Sequence, residues 1–162
     1  MSKYEQLALD LGAENVKTIS ADDLIFDPRV RLKCIGCAEY GTWRCHPNPP
    51  EYKETVEMLS RYRETLLIHG HDGVSLSNIA RDVEREAFLD GNYFAFALCG
   101  CFYCQKCHSS LKSPCVNPDY RRPYCYALGI NVYETVRILG LPIQVLRTKE
   151  DEQNRYAFVL IK

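Results

Sequence analysis

Nine cysteines stand in this chain of 162 residues, and eight of them gather in two spaced groups. The first is Cys34-Ile-Gly-Cys37, followed by Cys45 within Trp43-Arg-Cys-His-Pro-Asn-Pro-Pro50. The second is Cys99-Gly-Cys101-Phe-Tyr-Cys104-Gln-Lys-Cys107, followed by Cys115 within Ser113-Pro-Cys-Val-Asn-Pro118. Cys125 stands apart. Two cysteines separated by two residues can turn their sulfurs to one side of a tight turn, toward one ion or cluster. Thiolates are the soft ligands that zinc and iron–sulfur clusters take.

The intervals separate the two chemistries. Cys101, Cys104 and Cys107 follow one another every third residue, the pattern of three corners of a cubane cluster in bacterial ferredoxins. Cys115, with Pro114 before it and Pro118 after it, closes a four-thiolate set for a single [4Fe-4S] cluster. A structural zinc site more often takes two paired knuckles joined by a longer spacer, so zinc is the rival reading. His108 directly follows Cys107 and is read as solvent-facing or hydrogen-bonded to a sulfur rather than as a ligand. The first group supplies Cys34, Cys37 and Cys45 and shows no obvious fourth ligand. His46 adjoins Cys45, and adjacent side chains rarely reach one metal together. Cys99 or Cys125 could complete the site from elsewhere in the fold. Alternatively the fourth position is open, and an iron without a protein ligand there could bind a substrate. The rival is again a structural zinc. Tyr40 and Trp43 could screen a cluster and lower its local dielectric, although packing is the simpler role for the lone tryptophan.

Composition limits what else the chain can be. Hydrophobic residues make up 46% and charged residues 25%, ordinary for a single globular domain spanning residues 1–162. The formal net charge of -1 gives no general attraction to nucleic acid or to an anionic membrane. No run of 18 apolar residues occurs, and the first ten residues lack a secretory pattern, so a cytoplasmic protein with reduced thiols is expected. An odd cysteine count and a chain able to build a core argue against a disulfide framework. Buried, inert cysteines are the alternative for Cys99 and Cys125.

The cysteine loops need elements to hold them. Helices are expected over residues 2–13, 51–63, 75–90 and 124–139, with glycines closing three of them. On the third, Leu76, Ile79, Ala80, Val83 and Ala87 recur at helical spacing. Strands are expected at 15–19, 65–69, 92–98, 141–146 and 155–161, with residues 20–50 mostly loop. Such an order predicts an α/β or α+β fold, a mixed sheet flanked by helices. The 92–98 strand runs straight into the second cysteine group, and loops leaving strand ends carry function in such sheets. Glu84, Glu86 and Asp90 read as a solvated helix face, and Ser75, Ser77 and His71 as cap and loop residues.

With these residues in view, the chain resembles a family of cysteine-rich predicted metal-binding proteins of anaerobic bacteria and archaea, catalogued as a domain of unknown function. Val30-Arg-Leu-Lys-Cys34, Cys37, Tyr40-Gly41, Trp43 and Cys45 carry the first part of the likeness. Glu86-Ala-Phe-Leu-Asp-Gly91, Cys101, Cys104, Cys107, Cys115, Pro118, Arg122-Pro123 and Gly129-Ile-Asn-Val132 carry the second. It covers roughly residues 28–140 and implies iron–sulfur binding without a settled reaction. The chain departs from the family at His46, at Tyr124, Tyr126 and Asn131, and in having Cys99 and Cys125.

The leading expectation is therefore a protein with two [4Fe-4S] clusters that passes electrons, as a carrier or as a subunit of a redox complex. An enzyme using an open cluster at Cys34, Cys37 and Cys45, and a zinc-stabilised binding module, are the alternatives. A redox protein is the expected partner, with neither nucleic acid nor membrane.

Overall fold

A computed structural model describes residues 1–107 and 113–162. Its frame is a four-stranded sheet in the order β1 (Asn15–Ile19), β2 (Thr65–Gly70), β4 (Arg155–Leu160), β3 (Phe96–Leu98). All three ladders are antiparallel, with Leu67 opposite Lys17 and Phe158, and Leu98 also opposite Phe158. Helices α1 (Lys3–Asp10), α2 (Tyr52–Leu59), α3 (Gly73–Leu89) and α4 (Val132–Ile138) complete an α+β domain. Among the described residues no helix is long and apolar enough to cross a membrane.

Both faces of the sheet are covered, which is why β2 and β4 read as continuous apolar runs rather than as an alternation. Leu66, Ile68, Ala157 and Val159 face α3 and α1, packing on Ile79, Ala80, Val83 and Ala87. Leu67, Phe158 and Leu160 face the other way, onto Leu59, Leu128, Ile130, Val132 and Val136. The five helical-spacing residues of α3 are all buried. Asp72 caps that helix, its side chain accepting from the Ser75 N–H.

Three expected elements differ. The strand expected at 92–98 is confined to Phe96–Leu98. The helix expected over 124–139 is broken by Gly129, whose φ of 83° is left-handed. A methyl group there would stand 2.6 Å from the Tyr52 ring, so only glycine fits. The 3-10 turn Tyr126–Leu128 precedes the break, and Asn131 caps the shorter α4 after it. No strand forms at 141–146. Leu141 and Ile143 pack on the apolar layer beneath α4, and Pro142, which has no N–H to give a ladder, accepts the Tyr156 hydroxyl at its carbonyl. Val145 is left exposed.

Candidate metal centre

The second cysteine group begins where β3 leaves the sheet. Gly100, at φ 69°, turns the chain, and a methyl group there would meet the Tyr124 ring at 2.6 Å. The returning segment is tied to this exit, Gly100 N–H donating to the Pro123 carbonyl at 2.9 Å. Ser77 of α3 donates to the Gly100 carbonyl at 2.9 Å. Glu84 of α3 grips both sides. It accepts from the Ala97 N–H at 2.7 Å and from Arg122 Nε at 2.7 Å, and Arg122 Nη2 donates to its other oxygen. Glu84 is therefore not a solvated residue, as its helical position had suggested. Its side chain is 13% exposed and that of Arg122 16%. Glu86 and Asp90 do lie at the surface, both paired with Lys3.

Between these two segments Cys101, Cys104, Cys107 and Cys115 line one cavity of about 30 Å³, with Trp43, Asn117 and Tyr120. Nitrogen donors already face two of the sulfurs. Asn117 Nδ2 donates to Cys104 Sγ at 3.1 Å, and the Trp43 backbone N–H donates to Cys107 Sγ at 3.3 Å. The indole Nε1 of Trp43 is buried with no hydrogen-bond partner. Tyr120 stacks on Tyr103 with ring centroids 3.9 Å apart, under the guanidinium of Arg81. His108 lies outside the described residues.

The first group is built differently. Its lead-in, Phe26, bridges to Ile130, and the Asp27 N–H donates to the Gly129 carbonyl at 3.0 Å. Asp27 then caps a 3-10 run, Pro28–Cys34. The turn Cys34–Cys37 closes with Cys37 N–H donating to the Cys34 carbonyl at 3.2 Å, and Gly36 takes a positive φ there. Cys34, Cys37 and Cys45 line a pocket of about 680 Å³ whose wall includes Tyr124, Tyr126 and Arg155. Burial pushes the Cys34 thiol up and the Cys45 thiol up to about 11. A coordinated metal reverses that sign, because a ligating thiol is deprotonated.

Neither candidate fourth ligand lines that pocket. Cys99 is 6% exposed, beside a separate cavity of about 170 Å³, and its thiol donates to the Gly100 carbonyl at 3.1 Å. Cys125 is 1% exposed, enclosed by the apolar layer of Leu24, Leu128 and Phe158. Burial raises these two thiols to about 11 and about 12. His46 turns toward Arg31, with Nδ1 3.4 Å from Nη2.

One short segment joins the two groups. Trp43 serves the second group's cavity, and Cys45, two residues on, serves the first group's pocket. Arg44 between them has a side chain only 15% exposed. It pairs with Glu39, donates to the Cys101 carbonyl, and lies over the rings of Phe102 and Tyr124 at 4.9 and 5.4 Å. Sequence reasoning gave Arg44 and Asn117 no role, and named Arg122 only within the family likeness. For Arg44 and Asn117 the available signal was a cation or amide close to a cysteine in an otherwise short loop.

The donor set tests the implied metal. Four thiols share one cavity with two N–H···S contacts, and Trp43, which lines it, has a buried indole N–H without a partner. Such a set suits a thiolate-ligated centre, whose sulfurs are tuned by hydrogen bonds. Among the described residues no three Cys, His, Asp or Glu side chains converge tightly enough to hold a single metal ion.

Fold and sites together define a small α+β metal-binding protein with two cysteine loops. The chain belongs to the family described as predicted metal-binding protein (DUF2284), whose model matches residues 17–161. No curated protein and no solved structure matches it.

Proposed function

We propose that this protein is an iron–sulfur electron-transfer protein with two [4Fe-4S] clusters. One is held by Cys101, Cys104, Cys107 and Cys115, and the other by Cys34, Cys37 and Cys45. The observation that carries the reading is the enclosure of four thiols, three of them at ferredoxin-like intervals, in one cavity with N–H donors to two of the sulfurs. When bound, a cluster accepts and returns one electron at a time. The chain's residues fix its ligands, screen it from water and set its potential. A protein redox partner, as a carrier's client or as the rest of a complex, goes with this activity.

Anaerobic purification with iron and sulfide analysis tests it. Two cubanes require about eight irons and about eight sulfides per chain, with an EPR signal on reduction. Zinc in place of iron, without acid-labile sulfide, would sink the reading and leave a zinc-stabilised binding module.

A second reading has its own support. Cys99 and Cys125 stand outside the pocket that Cys34, Cys37 and Cys45 line, which leaves that set three thiols and an open side. An enzyme working at an iron with a free position would be built in this way. Cys99→Ala and Cys125→Ala are each expected to keep the full iron and sulfide content. Loss of half the iron in either variant would identify that cysteine as the fourth ligand.

A further inference from the structure

The open side of the first cysteine group is a pocket of about 680 Å³, within the size range of small-ligand sites. Its charges are unequally satisfied. Two carboxylates reach its wall, and both are already engaged: Asp27 with Arg29 and Glu39 with Arg44. Lys33 and Arg155 line it as well, and neither makes an ion pair among the described residues. Arg155 donates to the neutral side-chain oxygen of Gln153, and Asp72, the cap of α3, is the carboxylate that feels its charge without forming an ion pair. Besides the three cysteines and Asn131, the rest of the wall is aromatic or aliphatic, with Tyr124, Tyr126 and Val132.

We infer that this pocket binds a small carboxylate-bearing organic molecule. Lys33 and Arg155 hold its carboxylate, and Tyr124, Tyr126 and Val132 lie against its carbon body, beside Cys34, Cys37 and Cys45. Lys33 and Arg155 are both solvent-exposed, so water satisfies them when the pocket is empty, but two cations on one wall favour an anion there, because a charge-assisted contact is stronger than a neutral one. The tyrosine and valine wall calls for an organic body rather than a bare inorganic ion, since phenol faces are largely apolar surface. Three thiols at the base place the ligand beside the metal position. Contact with an iron rests on the open-site reading above, whereas the charge and ring contacts rest on the pocket alone.

The full chain, purified anaerobically, is titrated by calorimetry with benzoate, succinate and inorganic phosphate. Saturable binding of a carboxylate is expected. In the Lys33→Gln, Arg155→Gln double variant it weakens by about tenfold or more, with unchanged metal content and unchanged melting temperature. The same carboxylate added to the reduced Cys104→Ala variant, which keeps the first-group cluster alone, is expected to shift its EPR signal. Failure of both carboxylates to bind, binding of phosphate alone, or binding equally tight in the double variant overturns the inference. Two clusters by iron and sulfide count with no carboxylate binding refutes the ligand site and leaves the electron-transfer reading standing. Carboxylate binding to protein without sulfide does the reverse.

Discussion

At the scale of single residues, Trp43 carries more than its place in the sequence suggests. It lies in the spacer of the first cysteine group, yet it also lines the cavity of the second. Its backbone N–H already meets Cys107 Sγ, and its indole N–H is buried without a partner. An unmet buried donor is costly, and a sulfide or thiolate of a bound cluster would satisfy it. Hydrogen bonds to cluster sulfur stabilise the reduced, more negative state and raise the potential. Trp43→Phe keeps the ring under Arg121, now 4.4 Å away, and removes the indole donor alone. Iron and sulfide content is expected to stay constant while one cluster's potential falls, as read by redox titration under EPR. An unchanged potential assigns the indole to packing. Cys125 shows the opposite lesson. The sequence offers nine similar thiols, and only burial separates an apolar-layer cysteine from one that opens on a pocket.

At the scale of elements, the second cysteine loop depends on a helix that does not carry it. The Glu84–Arg122 pair links α3 to β3 and to the segment returning from Cys115. Both side chains are largely buried, so removing one leaves the other charged and unpaired, at a cost of about 3 kcal/mol. Arg122→Met is expected to lower the denaturation midpoint and the iron content together. Equal iron content in the variant would show that the loop holds its shape without the pair. The helices and central strands were legible in the sequence because burial writes a period. Leu76, Ile79, Ala80, Val83 and Ala87 mark one face of α3, and Leu66, Leu67 and Ile68 form an apolar run at the centre of β2. The cysteine sets were legible from spacing. What stayed hidden depends on distant partners. Glu84 is charged at an exposed-looking helical position, and only the fold brings Arg122, 38 residues away, to meet it. Gly129 broke an expected helix because Tyr52 occupies the space a side chain would need. The strand expected at 141–146 has the apolar content but finds no ladder.

At the scale of the whole molecule, the sheet sets the distance between the two cysteine sets. β3 delivers Cys101 at one sheet edge. The Phe26–Ile130 bridge fixes the lead-in to Cys34, and the Arg44 carbonyl accepts from the Tyr124 N–H at 3.0 Å, stitching the two loops side by side. The closest link is the chain itself. Cys107 Sγ is 3.3 Å from the Trp43 nitrogen. From Trp43 to Cys45 the backbone can span at most about 7 Å. Two clusters held at these positions would therefore sit within easy reach of each other for electron transfer, with the half-buried Arg44 guanidinium between them. Unpaired spins that close interact. The fully reduced protein is expected to give a broadened EPR spectrum that is not the sum of two isolated signals. Removing one cluster, by Cys104→Ala, should restore a simple signal from the cluster on Cys34, Cys37 and Cys45. Two additive spectra in a protein of full iron and sulfide content would mean that the loops stand farther apart when loaded. The relay would then need a partner to bridge them.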